Sequence, residues 1–196
     1  MLRSKRDIIM HSITKKEKGY VNHKHDRGKA TRWGITTATA ERHMNLWEKY
    51  KFKGDMRVLP VEMAYEIYVT KYWDSENIDL ILSASPLLAK EIFDTNVLHG
   101  PGHAVRWMQR LLNVFNRRET LFPKLKTDGD IGKKTQNALL AFGALRGEEG
   151  YKVIFTLMNS FQGVYVVEIA EADDTQESNV YGWGRTRVYN DLLDGL

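Results

Sequence analysis

The sequence predicts an all-α protein, mainly α with a small irregular hairpin near its candidate active site, and three observations carry that expectation. Apolar residues recur three and four positions apart through most of the 196 residues, the spacing that lines one face of a helix. Residues that begin helices stand where such runs start: Thr36 or Thr37, Pro60 and Pro86. A long interruption of glycine and polar residues, 19–34, reads as a loop or short hairpin.

Taken in order, Asp7 to Lys16 is the first expected helix, with Ile9 and Ile13 on one face and Ile8 beside it. Thr36 or Thr37 caps a second, whose apolar positions are Ala38, Ala40, Met44 and Trp47. Pro60 opens a third; Val61, Ala64, Tyr65, Tyr68 and Val69 are spaced for burial, and Tyr72-Trp73 stands at its end. Leu87 to Val97 reads as a buried helix. The turn His99-Gly100-Pro101-Gly102-His103 is the best internal boundary, giving regions 1–97 and 98–196. Ala104 to Asn113 is an amphipathic helix, and Asp128-Gly129-Asp130-Ile131-Gly132 is a turn leading into another helix near Thr135. From Tyr151 to Ala172, β-branched residues make strand a local competitor, but length and spacing favour helix. Trp183 is expected to pack the C-terminal tail onto the body.

Composition narrows the function classes. Charged residues at 28% and hydrophobic ones at 42% describe an ordinary folded chain rather than a disordered one. The absence of cysteine excludes a disulfide scaffold and thiolate chemistry. Net charge is +4, yet residues 1–33 hold ten Lys or Arg against three acids, an excess suited to an anionic polymer or to a solvated face. No nucleic-acid motif accompanies it, so no specific nucleic-acid partner is expected. The apolar run Ile8-Ile9-Met10 is too short for the about 7 to 15 residues of a signal core, and no transmembrane segment is expected elsewhere.

Chemistry concentrates in the segment from Glu17 to Thr36. Glu17, Asp26 and Thr31 offer an acid, a second carboxylate and a hydroxyl separated by glycine-punctuated polar sequence. Hydrolysis of a glycosidic bond with inversion needs one protonated acid for the leaving oxygen and one carboxylate for water, about 6.5 to 9.5 Å apart. A helix end would raise the Glu17 pKa beside apolar neighbours, while Asp26 on a wet loop stays ionised. Thr31 can hold the water. The histidines suggest a rival zinc amidase, since His23 and His25 alternate, but the third ligand and a His-Glu-x-x-His pattern are missing, so no metal is expected. Asp128 and Asp130 suit a turn better than a calcium loop, which would require a bidentate Glu further along.

The segment resembles the catalytic signature of glycoside hydrolase family 108, the N-acetylmuramidases of phage endolysins and related bacterial proteins. The matching residues are Glu17, Gly19, Tyr20, Val21 and Asn22, then Asp26, Gly28 and Thr31, then Trp33, Gly34, Ile35 and Thr36. Lys18, His23, Lys24 and Lys29 depart from the pattern and leave the three candidate catalytic side chains intact. Downstream, the helix containing Gln109 and Leu111, the Asp128-Gly129 turn and the helix near Thr135 resemble peptidoglycan-binding modules.

The resemblance implies a lysozyme-like helical catalytic domain over 1–97 and a smaller helical peptidoglycan-binding-like domain over 98–196. It implies hydrolysis of the β-1,4 bond between N-acetylmuramic acid and N-acetylglucosamine, with Glu17 as general acid and Asp26 and Thr31 positioning water. Tyr20, Trp33 and Trp73 are the expected substrate-binding residues, without cofactor or metal. A monomer made in the cytoplasm without a signal peptide and acting at the cell wall is expected, released by a separate membrane-opening protein of the holin type. Two alternatives are a lytic transglycosylase and a non-catalytic peptidoglycan-binding or secretion-associated protein of the same fold.

Overall fold

In a computed structural model of the chain, residues 4–16, 19–22 and 30–189 are described. The described residues are predominantly helical, with three short strands, as the all-α reading expects. They form two compact units, residues 4–71 and residues 72–189.

In the first unit, α1 spans Lys5–His11 and continues as a wider π-type turn over Ser12–Lys16. Ser4 starts it by accepting the Asp7 N–H on its hydroxyl at 3.1 Å, satisfying one of the donors a helix start leaves free. Strands β1 (Tyr20–Val21), β2 (Thr31–Arg32) and β3 (Ile35–Thr36) form an antiparallel sheet in that order. Helix α2 (Thr37–Arg42) is capped by Thr36, whose hydroxyl accepts the Thr39 N–H at 3.2 Å. Helix α3 (Val61–Tyr68) starts after Pro60 and runs into a π-type turn over Val69–Trp73. Ile8, Ile9 and Ile13 pack with Met63, Ala64 and Ile67 as a fully buried seam between the first helical stretch and α3. Each such isoleucine stabilises the unit by about 2 kcal/mol relative to exposure.

The second unit contains α4 (Asp79–Leu82), α5 (Pro86–His99), α6 (His103–Phe115), α7 (Lys133–Ala172) and α8 (Glu177–Trp183), which continues as a π-type turn over Gly184–Tyr189. Helix α5 packs on both α6 and α7, and Leu88, Ala89, Ile92 and Phe93 are fully buried. Because α5 shares this core, the compact units part at residues 71 and 72, earlier than the sequence boundary at 97 and 98. Helix α7 is bent at Gly147 (φ 61°, ψ −158°) into stretches 133–146 and 148–172, the second containing the helix expected over 151–172. Two glycines let these stretches close on each other. A Cβ at Gly143 would lie 1.8 Å from the Tyr151 hydroxyl, and one at Gly150 would lie 2.9 Å from the Phe142 ring.

Helix α7 also corrects the expectation that no segment resembles a membrane span: by length and composition it is apolar enough to cross one. In this unit it packs on α5 and α6, with Asn159 and Gln162 fully buried and the Gln162 amide 3.4 Å from the Thr95 hydroxyl of α5. One face of the helix is thus a core face that buries amides against its own protein, while Val153, Leu157, Val164 and Val167 on it are exposed.

Candidate functional site

The hairpin that carries the candidate residues is built around an unusual turn. Thr31 pairs with Thr36 and Arg32 with Ile35, leaving Trp33 and Gly34 as a two-residue loop, both at positive φ (53° and 73°). That is the type I′ geometry whose twist matches paired strands, and it favours glycine or asparagine at both positions. A tryptophan there carries a strain of about 1 to 2 kcal/mol. Its contacts hold it: the indole N–H donates to the Leu59 carbonyl at 3.0 Å, and the Trp33 carbonyl accepts the Tyr68 hydroxyl at 3.1 Å. Arg32 places its guanidinium 5.1 Å from the Trp33 ring and donates to the Arg57 carbonyl. The hairpin is thereby pinned to the α3 end of the unit.

Thr31 is half-buried on the central strand, between Val21 of β1 and Thr36 of β3. Tyr20 on β1 is 39% exposed, so its ring is accessible. Glu17 and Asp26 lie outside the described residues, as do Lys18, His23, Lys24, His25 and Lys29. In the chain, Glu17 falls between the π-type turn ending at Lys16 and Gly19, whose φ of 103° suits only glycine. Asp26 falls between the paired strands β1 and β2.

Trp73 requires a correction. Expected among the substrate-binding residues, it is fully buried, donates its indole N–H to Asp79 at 2.8 Å and sits 5.7 Å from the Phe93 ring. With no exposed face it cannot stack on a sugar, and its role is to fill the core. Its helical spacing was compatible with either use.

Several cations of the first unit, Arg6 of the basic segment among them, are paired within the protein. Arg6 makes two hydrogen bonds to the Glu62 carboxylate (2.8 and 3.0 Å), and Arg57 pairs with Asp55 at 2.7 Å. Lys49 and the Tyr50 hydroxyl both donate to Glu66 (2.5 and 2.6 Å), which holds that carboxyl below its ordinary range.

In the second unit, Gln109 grips the Asp128 turn. Its amide N–H groups donate to the Asp128 carboxylate and the Asp130 carbonyl (both 3.0 Å), and its amide oxygen accepts the Gly129 N–H at 3.0 Å. The Asp128 carboxylate also accepts the Asp130 N–H at 3.0 Å, and these donors hold its pKa below the usual carboxylate range. Arg106 donates to the Asp128 carbonyl at 3.0 Å. Gly129 has φ 89°, and a Cβ there would lie 2.6 Å from the Arg106 guanidinium and 3.0 Å from the Gly102 carbonyl. The two glycine turns thus pack against each other. Replacing Gln109 by Leu strands these turn groups, each costing about 1 to 3 kcal/mol when buried unpaired. We expect urea denaturation to show a stability loss of about 3 kcal/mol.

A buried clasp joins the tail to α5: Arg187 meets Asp94 at 2.5 Å, with both side chains almost wholly enclosed. Nearby, the Trp183 ring stands edge-on to His99 at 6.4 Å, and Tyr165 stands edge-on to it at 5.0 Å. Burial lowers the His99 pKa to about 4, and His103 is lowered for the same reason. A histidine depressed in the folded state is neutral there, whereas the unfolded chain takes up the proton near pH 6.5. Its contribution is therefore complete above about pH 6.5 and is lost as pH falls towards 4. Melting temperature should decline across that window, and His99→Phe should flatten the decline, leaving the smaller part due to His103.

The comparisons with known proteins align with this geometry. Residues 10–100, which include the whole hairpin, match the family model for glycosyl hydrolase 108. The region over residues 10–100 is similar to glycosyl hydrolase 108 proteins. Residues 103–188 match a Predicted Peptidoglycan domain, a stretch that contains the Gln109 grip and the Arg187 half of the clasp, whose Asp94 lies in the 10–100 match. No curated protein matches the chain. Among solved structures, Brucella abortus SagA is similar in fold, with a TM-score of 0.62, 23% identity, and coverage of 98% of this chain and 95% of that one. A glycosyl hydrolase 108 region followed by a peptidoglycan domain makes the protein a peptidoglycan-acting glycoside hydrolase. The sequence pattern marks Gln109 only as part of a resemblance; the grip and the clasp are what the structure adds.

Proposed function

We propose that the protein is an N-acetylmuramidase of the endolysin type, cleaving the β-1,4 bond between N-acetylmuramic acid and N-acetylglucosamine. The observation that carries the reading is the match of residues 10–100 to glycosyl hydrolase 108 around an intact Glu17, Asp26 and Thr31, with Thr31 on the central strand of a pinned hairpin. Glu17 protonates the leaving glycosidic oxygen, and Asp26 and Thr31 position the attacking water. Tyr20 and the accessible part of Trp33 contact the glycan. The catalytic module covers 1–97 and the wall-binding module 98–196, in a monomer released to the wall by a separate membrane-opening protein.

Mass spectrometry of digested sacculi tests the reaction. Hydrolysis leaves a reducing muramic acid, heavier by one water than the 1,6-anhydro end a transglycosylase leaves. Anhydro products with Asp26→Asn and Thr31→Ala fully active would establish the transglycosylase instead. Binding to sacculi with no soluble muropeptides would mark a non-catalytic wall-binding protein.

A further inference from the structure

Between α6 and α7, the connecting loop borders a groove of about 480 Å³, a volume in the range of small-ligand sites. Its floor is apolar and closed: Phe122, Leu125 and Ala138 are each at most 8% exposed. Its rim is Lys124, Lys134 and Asn137, all exposed. Among the described residues neither Lys124 nor Lys134 has an acidic side chain within ion-pair distance, unlike Lys126, which lies 3.8 Å from Asp128. Two cations therefore flank an apolar floor with their charge uncommitted.

The wall of the groove is built in advance. Asn113 near the end of α6 and Asn116, the residue that caps it, hold the loop by its backbone. Asn116 donates to the Phe122 carbonyl at 2.7 Å and accepts the N–H groups of Leu121 and Phe122 (3.1 and 3.2 Å). Asn113 donates to the Leu125 carbonyl at 2.9 Å and accepts the Leu125 N–H at 2.8 Å. Asn116 is itself 1% exposed. A loop fixed by five such bonds loses little entropy when a ligand arrives, which is the condition for a small site to bind usefully.

We propose that this groove binds a short acidic peptide, and that in the wall its ligand is the carboxylate-bearing stem peptide of peptidoglycan. The chemistry separates peptide from glycan. Stacking on sugar needs an exposed ring face, and Phe122 offers almost none. Carboxylates of a stem peptide match the two lysines, its alanine methyl groups match the apolar floor, and the Asn137 amide can meet a peptide bond. The inference rests on the reading of the protein as a peptidoglycan-acting hydrolase, but the binding itself requires no bond cleavage.

The full chain, isotopically labelled, is titrated with synthetic L-Ala-D-isoglutamyl-meso-diaminopimelate, and amide shifts are followed by NMR. Saturable shifts centred on Phe122, Leu125 and Ala138 are expected, weakening with salt. Lys124→Glu combined with Lys134→Glu should reduce affinity by about tenfold or more, with melting temperature retained. Should that pair fail to fold, Lys124→Gln with Lys134→Gln should still weaken binding. No saturable shift, equal affinity in the folded lysine variants, or equal affinity for trialanine or for peptide-free glycan chains would overturn the proposal. Since the probe has no glycosidic bond, these outcomes are independent of whether the sacculus digest yields reducing muramic acid.

Discussion

Glu17→Gln is expected to reduce release of reducing ends from purified sacculi by about 10²- to 10⁴-fold, the range that a positioned general acid contributes. The amide preserves size and hydrogen-bonding shape, so the circular dichroism spectrum and sacculus binding should be unchanged. Only the proton for the leaving oxygen is removed. Asp26→Asn and Thr31→Ala should also be impaired under hydrolysis, because each leaves the water less well held. Full lysis of permeabilised cells by Glu17→Gln would sink the assignment of the acid. Glu17 lies within the family match, two residues before the Gly19-Tyr20 entry to β1.

Arg187→Ala should destabilise the second unit by about 3 to 5 kcal/mol, the cost of removing one partner from a buried ion pair. Asp94 is 3% exposed and sits within α5, so its carboxylate has little route to water. Equilibrium unfolding in urea should show the midpoint moving sharply down. Arg187→Met paired with Asp94→Leu should recover much of the loss, since well-packed apolar residues can replace a buried pair at little net cost. A loss under 1 kcal/mol in Arg187→Ala would mean that the clasp contributes no more than an exposed pair.

The helices were legible because their starts and faces are written in local sequence. Ser85 and Pro86 begin α5, Thr36 caps α2 and the isoleucines of α1 show its buried side, all within a few positions of one another. What local pattern hid was long-range. Trp73 has the spacing of a core or a platform residue, and only Asp79 and Phe93 closing over it decide for the core. The Asp94–Arg187 pair joins residues 93 positions apart, beyond any periodicity argument. Trp33 at positive φ was equally hidden, because turn chemistry predicts glycine or asparagine there and tertiary bonds to Leu59 and Tyr68 override it. Asn113 and Asn116 carry a faint signal, two amides at a helix end ahead of a proline-containing loop. For the site itself, residue types and order were readable, while the distances that would separate inversion from other outcomes are three-dimensional quantities.

The Asp94–Arg187 clasp closes most of the second unit into a ring held at its neck by charge. A chain with cysteine could make the same closure with a covalent bridge, which would form or break with the redox potential of its surroundings. An ion pair sealed from solvent responds to neither thiols nor oxidants. The closure is therefore indifferent to the redox potential around the folded protein.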